Sequence, residues 1–437
     1  MAKNKICIIH PEGNINNNPN LTGIVEILCE NGYEVDIYSL YREGISQKSP
    51  CKGASMIIQS NSSAKDRINN YQYKITRDYD LYIGIDEGIL EASFMSNLTG
   101  KPYGLISYEI FFSDEIGSKE KELIKFKSSE IEACKNISFA VIQDEIRASF
   151  LSEENRIPKD KFIYIPVANR GIKKYQKNYF WYEKYNIPID CKIALYMGSV
   201  DKWTMTDELI EVVPGLPKNW HLVIHCRSRI EDLGNCYTNI SENNQNLHIS
   251  QLVFGSFSEM EVAFYSADAG LAFYKPLGGP YTGKNLQYIG LSSGKISTYL
   301  QHGLPVISNI GNPMKDYFKK FSIGVYIKDI CELKDVLCNW KEGYLNHENC
   351  QLFFREYLDL DKKIAPLLLK IDELISKSIN GKRFLSKTVE KKDLNNEIKR
   401  GTVKNFFLKK AQKIIIIFAI MSKRFKNIFI HKNSWKN

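Results

Sequence analysis

No apolar run in this 437-residue chain approaches the ~20 residues that a membrane-spanning helix needs. The first apolar run, Ile6-Cys7-Ile8-Ile9, is too short for the hydrophobic region of a secretory signal. Cys-x-x-Cys does not occur. The ten cysteines, at 7, 29, 51, 134, 191, 226, 236, 331, 338 and 350, show no zinc-ligand spacing. Cys7, Cys29 and Cys226 stand within apolar runs and read as small core residues. Together these absences point to a reducing cytoplasm. No internal repeat is visible.

Acidic charge is scarce in one region only. Residues 381–437 hold 16 Lys and Arg against 3 Asp and Glu, whereas the other 380 residues hold 43 against 47. The body is mildly acidic and the end strongly basic. A nucleic-acid-binding body would carry its basic surface on the fold itself, so no nucleic-acid partner is expected. The basic end suits an anionic surface. Lys, Asn and Ser dominate up to Arg400, as in a disordered linker. Beyond it, Phe407, Ala411, Ile414, Phe418, Met421, Phe425 and Ile428 recur at spacings of four and three. Seven Lys and Arg between 404 and 426 flank that stripe. Residues 401–430 therefore predict a basic amphipathic helix lying on an anionic membrane. The same spacing would also suit a helix seam on a partner.

Short apolar runs alternate with helix-length segments, which predicts βαβ units and parallel sheets. In the first half strands are expected at 5–9, 34–38, 81–85, 103–106, 139–142 and 162–165. In the second half they are expected at 192–197, 221–225, 269–273 and 305–307. The fold class expected is α/β, with two doubly wound parallel-sheet domains. The expected divisions are 1–170, a linker 171–188, 189–345, terminal helices over 346–380, and the basic end 381–437. In doubly wound sheets ligands gather beyond the carboxyl ends of strands. That rule selects Gly13 beside His10 and Glu12, Asp86, and Glu109 in the first half. In the second it selects Ser199, Lys202, His225 and Lys275.

The stretch Ser292-Ser293-Gly294-Lys295 opens a helix that ends before Gly303-Leu304-Pro305-Val306-Ile307. A glycine-containing loop entering a helix offers unpaired backbone N–H groups and the positive end of the helix dipole. It is a phosphate site built from backbone, and Lys295 adds a cation.

This segment, Ser-Gly-Lys-x-x-x-Tyr-Leu-x-x-Gly-Leu-Pro-Val-Ile, resembles the donor-site helix of GT-B nucleotide-sugar glycosyltransferases, the family-4-like group of bacterial glycan biosynthesis in particular. The resemblance extends weakly over about 5–345. Tyr108-Glu109-Ile110-Phe111 is similar to the His-Glu-Leu-Phe ending of a strand in that family. Val141-Ile142-Gln143-Asp144-Glu145-x-Arg147 is similar to its segment before the linker. Val253-Phe254-Gly255-Ser256-Phe257 is similar to its base-binding strand, so the backbone near Phe254 is expected to read the nucleobase. The family implies two Rossmann-like domains facing a cleft, with the nucleotide on the C-terminal one and the acceptor on the N-terminal one. It also implies terminal helices that brace the first domain. Where the family often has arginine this chain has Ser199; either Lys202 replaces the lost cation or the family lysine has no counterpart here. Where it often has two glutamates this chain has Gly290 and Thr298, so only a hydroxyl is left for the ribose.

The expected activity is transfer of a hexosyl unit from a nucleoside diphosphate sugar to a glycan acceptor, lipid-linked on the evidence of the basic end, in surface polysaccharide synthesis. Amides and lysines stabilise the departing diphosphate, so no cofactor and no metal is expected. Asp86 or Glu109 is the candidate base if the reaction inverts. The expected location is cytoplasmic, peripheral to the inner face of the cell membrane. Two alternatives stand beside it: a nucleotide-sugar epimerase of the same architecture, and a non-catalytic binding or assembly protein.

Overall fold

A computed structural model describes residues 3–41, 47–59, 78–226, 237, 243–254, 257–340 and 346–385. They form two compact units. The first gathers the described parts of 1–142, 148–163 and 364 onward; the second gathers 143–147 and 164–363.

The first unit is built on a seven-stranded sheet. Its strands are β1 (Lys5–Ile9), β2 (Glu34–Leu40), β3 (Ala54–Gln59), β4 (Leu81–Ile85), β5 (Tyr103–Ile106), β6 (Ala140–Ile142) and β7 (Phe162–Tyr164), in the order β3-β2-β1-β4-β5-β6-β7. From β3 to β6 each neighbouring pair is parallel. Parallel neighbours need crossovers, and the helices Pro19–Glu30, Ile89–Thr99 and Lys121–Cys134 supply them. Pro19 starts its helix where a missing N–H costs nothing, and the Asn18 side chain caps it by accepting from the Leu21 amide at 3.1 Å. β4 is buried along its whole length, as expected of a strand covered on both faces. The helix Ala365–Leu385 also belongs to this unit. It buries Leu367, Ile371 and Ile375, and its Asp372 accepts from the Tyr33 hydroxyl. It continues to Leu385, past the expected start of the basic linker. Residues 401–430, expected to meet a membrane, lie outside the described residues. Among the described residues no helix is long and apolar enough to cross a membrane.

The second unit has a six-stranded sheet of β8 (Lys192–Met197), β9 (Trp220–His225), β10 (Leu247–Ser250), β11 (Ala269–Ala272), β12 (Val306–Ser308) and β13 (Gly324–Tyr326), in the order β10-β9-β8-β11-β12-β13. All its pairs are parallel. The stretch expected as linker contains a helix, Phe180–Tyr185. Its Trp181 is fully buried in this unit's core and donates to the Ala263 carbonyl at 2.9 Å.

Three strands went unread in the sequence: β3, β10 and β13. Each is a sheet edge, where one flank lacks a neighbour and the apolar pattern weakens. One expectation is corrected. Residues 251–254 are not a strand; the strand is Leu247–Ser250, and a helix begins at Phe257. Val253 is 94% exposed, so the apolar run there is not a buried ladder.

The core closes tightly over β11. A methyl added at Gly270 would stand 2.5 Å from Cδ2 of Tyr299. The Tyr299 hydroxyl accepts from the Met197 amide at 2.8 Å and reaches the Leu195 and Leu271 carbonyls at 3.2 and 3.3 Å. The ring therefore cannot swing away without losing buried bonds. Gly270→Ala is expected to cost about 1–3 kcal/mol by overpacking, read by urea unfolding; an unchanged midpoint and slope would contradict this packing.

Candidate functional site

The strand order of the second unit reverses between β8 and β11. Open α/β sheets bind ligands at such a switch point, outside the carboxyl ends of the strands. The two chain segments leaving it are Gly198-Ser199 after β8 and Phe273-Tyr274-Lys275 after β11. The helix Gly294–Gln301 brings its first turn to the same place. A methyl added at Gly198 would meet Cε of Lys295 at 3.2 Å and Nζ at 3.4 Å, and Gly198 has φ +147°. Glycine is thus required there for backbone and for space.

Ser293 caps the helix. Its Oγ accepts from the Ile296 amide at 3.2 Å and lies 2.6 Å from the Tyr274 hydroxyl. Its carbonyl accepts from the Ser297 amide at 3.1 Å. The Ser293 hydroxyl is therefore committed within the protein. Among the described residues the amides of Gly294 and Lys295 find no acceptor, and they sit at the positive end of the helix dipole.

Lys295 is the unusual group. Its Nζ is sealed from solvent and has no hydrogen-bond partner among the described residues. It lies 3.9 Å from the centroid of the Tyr196 ring and 5.9 Å from that of Tyr274. Burial pushes its pKa down to about 7, because desolvation penalises the charged form. Cation–π contact offsets part of that cost. An arriving anion would offset far more and restore the ammonium.

The other expected residues of this unit divide. Ser292 is half-buried, and its amide donates to the Ile289 carbonyl at 2.7 Å. Thr298 lies on the same helix; its carbonyl receives the His302 amide at 3.3 Å. Ser199 gives its carbonyl to the hydroxyls of Tyr196 at 2.5 Å and Thr204 at 3.2 Å, so its backbone is tied to the ring beneath Lys295. Lys202 is exposed. Lys275 pairs with Glu208 at 2.6 Å, and that carboxylate raises its pKa. His225 is buried at the end of β9, its Nδ1 3.2 Å from the Ser250 hydroxyl. Phe254 packs edge-on to His225 with ring centres 5.2 Å apart.

Gly13, Asp86 and Glu109 belong to the first unit. Gly13 turns at φ +72°, its amide donating to the His10 carbonyl at 3.1 Å. Asp86 has φ +45°, an uncommon conformation for a non-glycine residue. Its Oδ1 accepts from the amides of Tyr108 at 2.7 Å and Glu109 at 3.0 Å. Burial raises its pKa well above the usual carboxylate range; the Glu109 and Glu12 carboxylates add to the rise and the two amides oppose it. Asp86 and Glu109 are thus neighbours, the first half-buried and the second exposed.

Sequence reasoning did not find Tyr196, and it singled out Asp144 and Arg147 only as part of a segment similar to the family's, without a role. Tyr196 lies inside β8, whereas the strand-end rule selects residues after a strand. The chain carries two Asp-x-Asp triplets. In the first, Asp80 pairs with Lys101 at 2.9 Å. In the second, Asp359 accepts from the Gly171 amide at 2.8 Å and Asp361 pairs with Arg170 at 2.8 Å. Among the described residues no three His, Cys, Asp or Glu side chains converge as a metal site.

Residues 222–351 match the family model of the glucosyltransferase 3-like C-terminal domain. No curated protein matches the chain by sequence. Among solved structures, Anabaena HepE in complex with UDP-glucose is similar at TM-score 0.61, with 11% identity, over 86% of this chain and 99% of its own. Sucrose-phosphate synthase from Thermosynechococcus elongatus is similar at 0.65, with 11% identity, over 86% and 100%. WaaG, a glycosyltransferase involved in lipopolysaccharide biosynthesis, is similar at 0.58, with 14% identity, over 84% and 98%. These neighbours are GT-B glycosyltransferases, and the two doubly wound sheets with C-terminal helices give this chain the GT-B fold.

Proposed function

We propose that the protein is a glycosyltransferase that binds a nucleoside diphosphate sugar at the start of the Gly294–Gln301 helix. The observation that carries this reading is the buried Lys295 ammonium beside the Gly294 and Lys295 amides, none of which has a hydrogen-bond partner among the described residues. A diphosphate supplies the acceptors that the two amides lack, and the Lys295 ammonium reaches it by turning out from the Tyr196 ring. The family match over 222–351, which includes this helix, and the UDP-glucose held by HepE favour a UDP-hexose donor.

In this reading the bond between the sugar and the diphosphate breaks as negative charge grows on the diphosphate. The Gly294 and Lys295 amides and the Lys295 ammonium stabilise that charge where it develops. Asp86, which lies beside Glu109 in the first unit and holds the Tyr108 and Glu109 amides, is the residue proposed to accept the acceptor's proton. The amphipathic pattern of 401–430 supports a peripheral membrane location and a lipid-linked glycan acceptor.

Lys295→Ala should weaken UDP binding by about tenfold to a hundredfold, since a charge-assisted hydrogen bond contributes ~1.5–3 kcal/mol. Calorimetry reads this, and an unaltered affinity would count against the site. The pH dependence has a definite sign. With its pKa near 7, Lys295 is largely neutral at pH 8 in the free protein and charged in the complex. Binding at pH 8 should take up close to one proton, binding below pH 6 close to none, and affinity should fall as pH rises above 7. Calorimetry in buffers of different ionisation enthalpy measures the uptake; none at pH 8 would contradict the assignment. Removing 401–437 should release the protein from vesicles containing anionic lipid with UDP affinity intact, and unchanged vesicle binding would remove the membrane role.

A further inference from the structure

The loop before the Gly294–Gln301 helix is held from a distant part of the chain. Residues 284–292 form only short turns. Their backbone is fixed by Gln143–Arg147, a segment that clusters with the second unit. Asp144 is 8% exposed and Arg147 2%. Asp144 Oδ2 accepts from the Leu291 amide at 3.1 Å. Arg147 donates from Nη1 to the Tyr288 carbonyl and from Nη2 to Asn285 Oδ1, both at 3.3 Å. Its Nε donates to Gln143 Oε1 at 2.8 Å, which fixes the guanidinium plane. The Leu291 carbonyl accepts from the Val167 amide at 2.9 Å, so Leu291 is pinned through both of its backbone groups.

Gly290 makes this contact possible. It has φ +47°, and a methyl there would stand 2.4 Å from Asp144 Oδ2. The carboxylate occupies the place of a side chain.

The two oxygens of Asp144 do different work. Oδ1 accepts from the Arg147 amide at 2.9 Å, an ordinary cap for the helix Glu145–Asn155. Capping needs that oxygen alone. Oδ2 serves the loop, three residues before the Gly294 amide. Amides aimed at an anion lose much of their effect when displaced by about 1 Å, so whatever fixes Leu291 also fixes the aim of Gly294 and Lys295.

We propose that Asp144, seconded by Arg147, is a positioning residue for the anion site: it holds the loop at Gly290-Leu291 so that the Gly294 and Lys295 amides point at the diphosphate. The proposal rests on the diphosphate reading above. Neither residue touches the ligand in this account, and both act through the backbone.

Asp144→Asn separates the two tasks. Asparagine caps helices as well as aspartate does, so the cap survives. With the side-chain oxygen kept on the Arg147 amide, an amide nitrogen faces the Leu291 N–H, and the loop loses its acceptor. The variant is expected to melt near the wild-type temperature, to bind UDP about five- to twentyfold more weakly, and to exchange amide hydrogens faster over 288–296 than elsewhere. If Asp144→Asn does not fold, Arg147→Lys carries the same expectation, because lysine keeps the charge and loses the fork to Tyr288 and Asn285. Wild-type affinity in either folded variant, with Lys295→Ala still impaired, overturns the positioning role and leaves the diphosphate site standing. A wild-type protein that binds no UDP overturns the diphosphate reading itself.

Discussion

An ammonium group shut away from water without a counter-ion costs a fold several kcal/mol, or else it surrenders its proton. Lys295 is held in that condition by Tyr196, Tyr274 and Gly198. The surrounding sheet makes the condition tolerable. Tyr196 and Tyr274 are both buried, so the faces of their rings are fixed, and the glycine removes the one side chain that would fill the space beside Nζ. The site spends stability on a charge that is useful only when something anionic arrives.

That arrangement connects fold to chemistry through the order of the strands. The reversal between β8 and β11 opens the gap into which the helix start is set. The helix brings the Gly294 and Lys295 amides and its dipole, while the sheet brings the aromatic floor. The close packing of Gly270 against Tyr299 holds the helix on the sheet, and the Tyr299 hydroxyl ties that helix to the end of β8 through the Met197 amide. The amides and the rings are therefore held on one packed frame, where they can stabilise a developing charge.

Much of this was legible in residue order. The central strands of both sheets stand out as buried apolar runs, and Ser293-Gly294-Lys295 announces a capped helix start. Three of the four edge strands, β3, β10 and β13, were not legible, and only β7 was. Phe254 was assigned to a strand by resemblance to the family's base-binding strand, whereas the strand ends at Ser250 and Val253 faces solvent. The helix at Phe180–Tyr185 was hidden in a stretch rich in Lys, Tyr and Asn. The Lys295 environment was unreadable for a different reason: it depends on Tyr196 in β8, far away in sequence, and no local pattern says which rings will meet. The contact between Asp144 and Leu291 is equally non-local.

The most direct measurement is the ionisation of Lys295 itself, followed by NMR of protein carrying 13C at the lysine Cε. The account predicts a resonance that titrates near 7 in the free protein and moves toward or above the ordinary lysine value of ~10.4 when UDP is saturating. A Lys295 that titrates at the ordinary value in the free protein, or one unmoved by UDP, would contradict it.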